Sequence, residues 1–140
     1  MIDQGIIKLT LESRLPNIRL VGAAVHGLCL AAGCDLKTAG LMELGLVEAL
    51  NNVVKHAYQN QPGHLFELEV RVDSGRLVFA ITDSGLGLSE WKEPTLDFDP
   101  QDLSSLPEGG MGRLIINKVM DQVEYTPGKD RNILALTKKL

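Results

Sequence analysis

Residues 66–82 carry two strand patterns joined by a turn too short for anything but a hairpin. Phe66, Leu68, Val70 and Val72 alternate with Glu67, Glu69 and Arg71, the period that turns one face of a strand to a core and the other to water. Residues 77–82 are then nearly all apolar, and Asp73, Ser74 and Gly75 make the turn between the runs. A two-stranded hairpin is not stable alone and needs a layer over its apolar face. The rest of the chain has to provide that layer and complete the sheet.

Upstream, Ile7, Leu9 and Leu11 alternate with Lys8, Thr10 and Glu12 as another half-buried strand. Pro16 opens a helix over residues 16–32 that Gly33 ends. A second helix starts after Asp35, with Thr38 as a competing cap, and runs to about residue 58, where Asn60, Gln61, Pro62 and Gly63 break it. Downstream, residues 89–108 have no sustained period and hold Pro94, Pro100 and Pro107; an irregular segment of that length reads as disorder or as a functional lid. A third helix covers residues 113–120, and Val123, Tyr125 and residues 133–137 form a last hairpin around Pro127, Gly128 and Lys129. Hairpins with the helices grouped between them predict an α+β chain: a two-layer sandwich with a mixed, mostly antiparallel sheet covered by helices on one face. At 140 residues the expectation is one domain over 1–140.

Several function classes drop out on composition. Fourteen Lys and Arg against eighteen Asp and Glu give a net charge of −4 with no basic block, so no direct nucleic-acid partner is expected. The longest apolar stretch, residues 20–32, is broken by Gly22, His26 and Gly27 and is too short for a bilayer. Ile2 and Asp3 do not begin a secretory signal, so the chain reads as cytoplasmic, with no membrane partner. Cys29 and Cys34 lack metal-ligand spacing and read as small buried hydrophobes. His26, on an apolar helix, reads as packing, and His64 lies in a turn.

Three segments carry chemistry. The first is Glu48-Ala49-Leu50-Asn51-Asn52-Val53-Val54-Lys55-His56. At about 100° per residue Glu48, Asn52 and His56 share one helical stripe, while Leu46, Leu50, Val53, Val54 and Ala57 face the sheet. Alone, the stripe could be a solvated helix face. Two consecutive Asn residues in mid-helix, however, oppose local propensity without a packing reason. An Asn oxygen can hold magnesium and a Glu one turn away can take a proton from a nucleophile. The second is Asp83-Ser84-Gly85-Leu86-Gly87 after an apolar strand: a carboxylate placed to accept from an amino group such as that of adenine, and two glycines that admit a flat ring or a phosphate. Its plain reading is a tight turn. The third, Gly109-Gly110-Met111-Gly112, precedes a helix, where free N–H groups and the positive end of the dipole suit a phosphate; its plain reading is a hinge. The P-loop, the Rossmann glycine pattern and the protein-kinase motif set are all absent from the sequence.

Taken in order, the three segments resemble the N, G1 and G2 boxes of the GHKL (Bergerat-fold) superfamily, which includes DNA gyrase, ninety-kilodalton heat-shock chaperones and sensor histidine kinases. Within it the chain is most similar to the anti-sigma factor serine-protein kinases. The residues that carry this likeness are Glu-Ala-x-x-Asn with His56-Ala57-Tyr58, Thr82-Asp83-Ser84-Gly85-x-Gly87, Gly109-Gly110-Met111-Gly112 and Met120-Asp121-Gln122-Val123-Glu124-Tyr125. The resemblance implies a Bergerat-type sandwich with an ATP lid, ATP or ADP as ligand with Mg, and Glu48 as the catalytic base. It implies Asn52 as the magnesium ligand, Asp83 with Gly85 and Gly87 at the adenine, and Gly109, Gly110, Met111 and Gly112 at the phosphates. It also implies a STAS-domain anti-sigma factor antagonist and a sigma factor as partners, and a homodimer.

In one respect the chain departs from that family. Such kinases often carry an Arg or Lys just before the G2 glycines, whereas residues 93–108 here contain neither, and the matching positions are Pro107 and Glu108. Arg113, magnesium and the helix N-terminus are then left to supply the charge, which bears on rate more than on binding. Two hypotheses follow: a serine kinase that switches partners, or a nucleotide-dependent interaction module with little or no kinase activity. The catalytic domain of a histidine kinase or of an ATP-driven machine is the weaker third, since 140 residues leave no room for a phosphoacceptor hairpin or a transducer.

Overall fold

The computed structural model describes residues 2–88, 91 and 111–140. The lid expected over residues 89–108 therefore lies outside the described residues apart from Trp91, as do Gly109 and Gly110. Five strands, β1 (Gln4–Glu12), β2 (Leu65–Asp73), β3 (Arg76–Asp83), β4 (Gln122–Thr126) and β5 (Asn132–Lys139), form one sheet in the order β1-β2-β3-β5-β4. Among the described residues every neighbouring pair is antiparallel, so the sheet is simpler than the mixed one expected. Asp73 pairs with Arg76, which leaves Ser74 and Gly75 as a two-residue loop with φ of 47° and 78°. Positive φ at both positions gives the turn whose twist matches that of its strands.

Three helices cover one face: α1 (Leu15–Ala31), α2 (Leu36–Asn52) and α3 (Met111–Val119). Pro16 lies in the first turn of α1, where its missing N–H costs nothing. Gly33, in the left-handed region at φ 98°, follows its end. Asp35 caps α2 by accepting from the Thr38 backbone N–H at 2.7 Å, so Asp35 and not Thr38 is the cap. That bond holds the Asp35 carboxyl below its ordinary value. α2 packs between α1 and α3. The helices meet closely because two contact residues lack side chains: a Cβ on Gly22 would lie 2.8 Å from Val47 Cγ2, and one on Gly45 would press on Val119.

The core joins the layers through Leu68, Phe79, Ile81 and Leu136 from the sheet and Ile18, Met42, Leu46, Leu50 and Ile116 from the helices. Phe79 is fully buried at its centre. Phe79→Ala is expected to cost about 3–5 kcal/mol, read as a lower urea midpoint at unchanged slope. A loss under about 1 kcal/mol would show that this ring does not anchor the two layers. Cys29 belongs to the same core, and burial pushes its thiol up to about 12, with Cys34 adding to the shift.

One strand is less covered than its period implies. Leu11 is buried and Leu9 half-buried, but Ile7 is exposed, together with Ile6. β1 is an edge strand with a neighbour on one side only, so burial fades along it while the alternation persists. On the open face of the sheet Lys8, Glu67, Glu69 and Arg71 form exposed ion pairs at 3.3–3.9 Å, which contribute little to stability. Among the described residues no helix is long and apolar enough to cross a membrane.

Candidate active site

The helix expected to run unbroken to residue 58 changes character after Asn52. Val53–Ala57 form a π-helical turn. The Tyr58 N–H reaches back five residues to the Val53 carbonyl at 3.0 Å, and the Asn60 N–H reaches Val54 at 2.8 Å. Gln59 and Asn60 then take left-handed φ of 52° and 61° and end it. The weak helix formers Asn51 and Asn52 sit at the junction, and wide turns of this kind occur frequently at functional sites.

That turn is the dock for the segment after β3. The Ala57 carbonyl accepts from the Leu86 N–H at 2.9 Å. The Tyr58 hydroxyl donates to the Leu65 carbonyl at 3.3 Å and accepts from the Ser84 N–H at 2.9 Å. A Cβ on Gly85 would run into the Ala57 carbonyl, so the close approach this glycine permits is to the chain's own backbone.

A cavity of about 260 Å³ opens between the end of α2, the end of β3 and the start of α3. Asn52, His56, Asp83, Gly87, Trp91 and Arg113 are among its lining residues. Asp83, the last residue of β3, is 7% exposed, which makes it a rare buried carboxylate. Its Oδ1 accepts from the Gly85 N–H at 2.9 Å and from Asn132 Nδ2 at 3.1 Å. Those two bonds fix the carboxylate, and an ionised carboxylate has acceptor capacity for more. Asn132 also donates to the Gly85 carbonyl at 3.1 Å. A Cβ on Gly87 would lie 2.7 Å from Asn132 Oδ1, so the turn closes tightly over this side chain.

Sequence reasoning did not find Asn132. One signal was present: it is a polar residue in phase with Leu134 and Leu136 on the covered face of β5. Trp91 and Tyr125 were also missed. The Tyr125 hydroxyl accepts from the Leu88 N–H at 2.9 Å, and its ring meets that of Trp91 at 6.1 Å. Trp91 Nε1 donates to Asn117 Oδ1 on α3 at 3.2 Å, and the Arg113 guanidinium lies 5.4 Å from the centre of the indole.

The expected stripe on α2 splits between two neighbours. Asn52 and His56 line the cavity, while Glu48 meets the start of α3: a Cβ on Gly112 would lie 2.7 Å from Glu48 Oε2. Gly112, ahead of the expected start at 113, is already helical among the described residues and is the residue that lets Glu48 approach. Asn52 Nδ2 is buried without a hydrogen-bond partner among the described residues. Buried amide groups are nearly always paired, so this donor calls for an acceptor that the described residues do not supply.

Residues 11–138 match the histidine kinase-like ATPase domain. The chain belongs to that family. Among relatives in this family, it is 28% identical over 137 residues to the serine-protein kinase RsbW of Halalkalibacterium halodurans, covering 96% of this chain and 83% of that protein. It is 31% identical over 97 residues to the anti-sigma F factor of Oceanobacillus iheyensis, covering 66% and 64%. The RsbU and RsbW domains of Rv1364c from Mycobacterium tuberculosis superpose on 97% of the chain with a TM-score of 0.68 at 14% identity. The chain spans 32% of that longer protein, and the likeness concerns the fold. The two-layer α+β arrangement expected from the sequence is thus the one this ATPase family shares.

Proposed function

We propose that this chain is an ATP-dependent serine-protein kinase, one domain over 1–140, that acts in the cytoplasm as an anti-sigma factor or a similar partner-switching regulator. The observation that carries the proposal is one cavity that brings together Asp83, a buried carboxylate, and Asn52, whose Nδ2 has no hydrogen-bond partner among the described residues, one turn from Glu48. The relatives' names supply the reaction class, a serine-protein kinase, and one partner class, a sigma factor. The antagonist, a STAS-domain protein whose serine is phosphorylated, and a second copy of the chain complete the proposed partners.

The residues fit a nucleotide. Asp83 accepts a hydrogen from the adenine amino group, with Gly87 beside it in the cavity lining. The N–H groups of Gly109, Gly110, Met111 and Gly112 suit the phosphates at the start of α3. Asn52 would hold magnesium through its carboxamide oxygen. Magnesium of this kind arrives with phosphates and keeps several waters. When bound, magnesium neutralises charge on the phosphate oxygens. Glu48 takes the proton of the acceptor serine as its Oγ attacks the γ-phosphorus and the bond to the leaving ADP breaks.

A specific observation also favours the second reading, an interaction module with little or no kinase activity: residues 93–108 contain no Arg or Lys. The deciding experiment incubates the protein with labelled ATP, magnesium and the STAS-domain proteins of the same genome. Label on an antagonist serine is the result expected of the kinase. Tight nucleotide binding with no transfer to any of them would establish the module instead.

A further inference from the structure

We propose that Arg113 supplies the cation missing from the segment ahead of α3, binding the γ-phosphoryl group of the nucleoside triphosphate and holding its charge during transfer. This rests on the nucleotide-site reading above. Residues 93–108 contain Glu93, Asp97, Asp99, Asp102 and Glu108 against no Arg or Lys, so that stretch has no cation of its own to offer a triphosphate. Among the described residues that line the cavity, Arg113 is the one Arg or Lys, and it shares that lining with Asn52 and Asp83. It also directly follows Gly112, the residue against which Glu48 rests. Arg113 thus belongs to the same cavity wall as the proposed magnesium ligand, and its helix carries the glycine that Glu48 approaches.

Two independent features mark Arg113 as placed for an anion. The first is helix electrostatics. Arg113 occupies the first turn of α3, and that turn holds no acidic residue. A cation at the positive end of a helix dipole is locally unfavourable, and such breaches of local preference occur where function needs them. An anionic ligand at the same helix end reverses the sign of the interaction. The second is how the side chain is held. The guanidinium rests 5.4 Å from the centre of the Trp91 ring, and Trp91 is itself tied to Asn117 and packed on Tyr125. Stacking orders the side chain without using its N–H donors, and among the described residues none of those donors is engaged, which suits its planar fork to two phosphate oxygens.

In the transfer step the bond from the γ-phosphorus to the β,γ-bridging oxygen breaks and the bond to serine Oγ forms. The serine proton passes to Glu48 and ADP leaves. Arg113 keeps its proton throughout and stabilises the charge on the equatorial oxygens.

The test compares wild type with Arg113→Gln and Arg113→Lys by calorimetric titration with Mg·ATP and Mg·ADP, and by the rate of label transfer. Arg113→Gln is expected to weaken ATP by about tenfold while leaving ADP near wild type, and to slow transfer by about a hundredfold. Arg113→Lys is expected to recover part of the ATP affinity but little of the rate, because an ammonium lacks the fork. Unchanged ADP affinity doubles as the control for folding. Equal ATP and ADP affinities in wild type and Arg113→Gln would overturn the proposal, and so would an equal weakening of both nucleotides. A wild type that binds no nucleotide overturns this proposal and the reading beneath it together. A wild type whose preference for ATP depends on Arg113 but which phosphorylates nothing supports Arg113 as the γ-phosphate ligand and overturns only the kinase reading.

Discussion

Glu48→Gln is expected to slow phosphoryl transfer to serine by about 10²–10⁴-fold while ATP binding stays close to wild type. The substitution keeps the shape and the contact with Gly112, against which Oε2 rests, and removes only the capacity to accept a proton. Binding is spared because Glu48 is not in the cavity lining that Asn52, Asp83 and Gly87 share, and Gln keeps its packing against Gly112. Single-turnover transfer from labelled ATP, set beside a calorimetric ATP titration of the same preparation, separates the two quantities. Native transfer in the variant would remove Glu48 as the base. A collapse of binding with the rate would make it a support for α3.

Asp83→Ala is expected to abolish useful ATP binding, raising Kd by about 10²-fold or more, and to destabilise the fold as well. The two losses share one cause. Asp83 Oδ1 is the acceptor for the Gly85 N–H and for Asn132 Nδ2, and truncation strands those donors in a buried setting. Asn132 keeps its bond to the Gly85 carbonyl, so the stability cost is about 1–3 kcal/mol. Asp83→Asn keeps an oxygen for part of that network but cannot serve both it and an amino group, so it should fold better than the Ala variant and still bind ATP poorly. Urea denaturation beside calorimetry reads both effects. An Asp83→Ala protein that binds ATP like wild type would show that the carboxylate serves the fold alone.

How much of this was legible depended on the range of the interactions. The β2–β3 hairpin was readable nearly to the residue, because alternation and a two-residue turn are local. Asp83 at the strand's end and the glycines beyond it came from the same local pattern. The π-helical turn was not readable, since its bonds go with the docking of residues 84–86 onto Ala57 and Tyr58, nearly thirty positions back in the chain. Asn132 escaped for a similar reason. It stands opposite Asp83 because β5 inserts between β3 and β4, a pairing that only the whole sheet determines. The exposure of Ile7 follows from the place of β1 at the edge, which periodicity does not encode.

The most direct measurement is a calorimetric titration of the wild-type protein with Mg·ATP and with Mg·ITP, which carries a carbonyl where ATP has the amino group. If the buried carboxylate of Asp83 reads that amino group, ATP binds and ITP binds at least about 10²-fold more weakly, because the carbonyl would face an acceptor in a buried site. Equal affinity for the two nucleotides, or no binding of ATP, would contradict the assignment of this cavity.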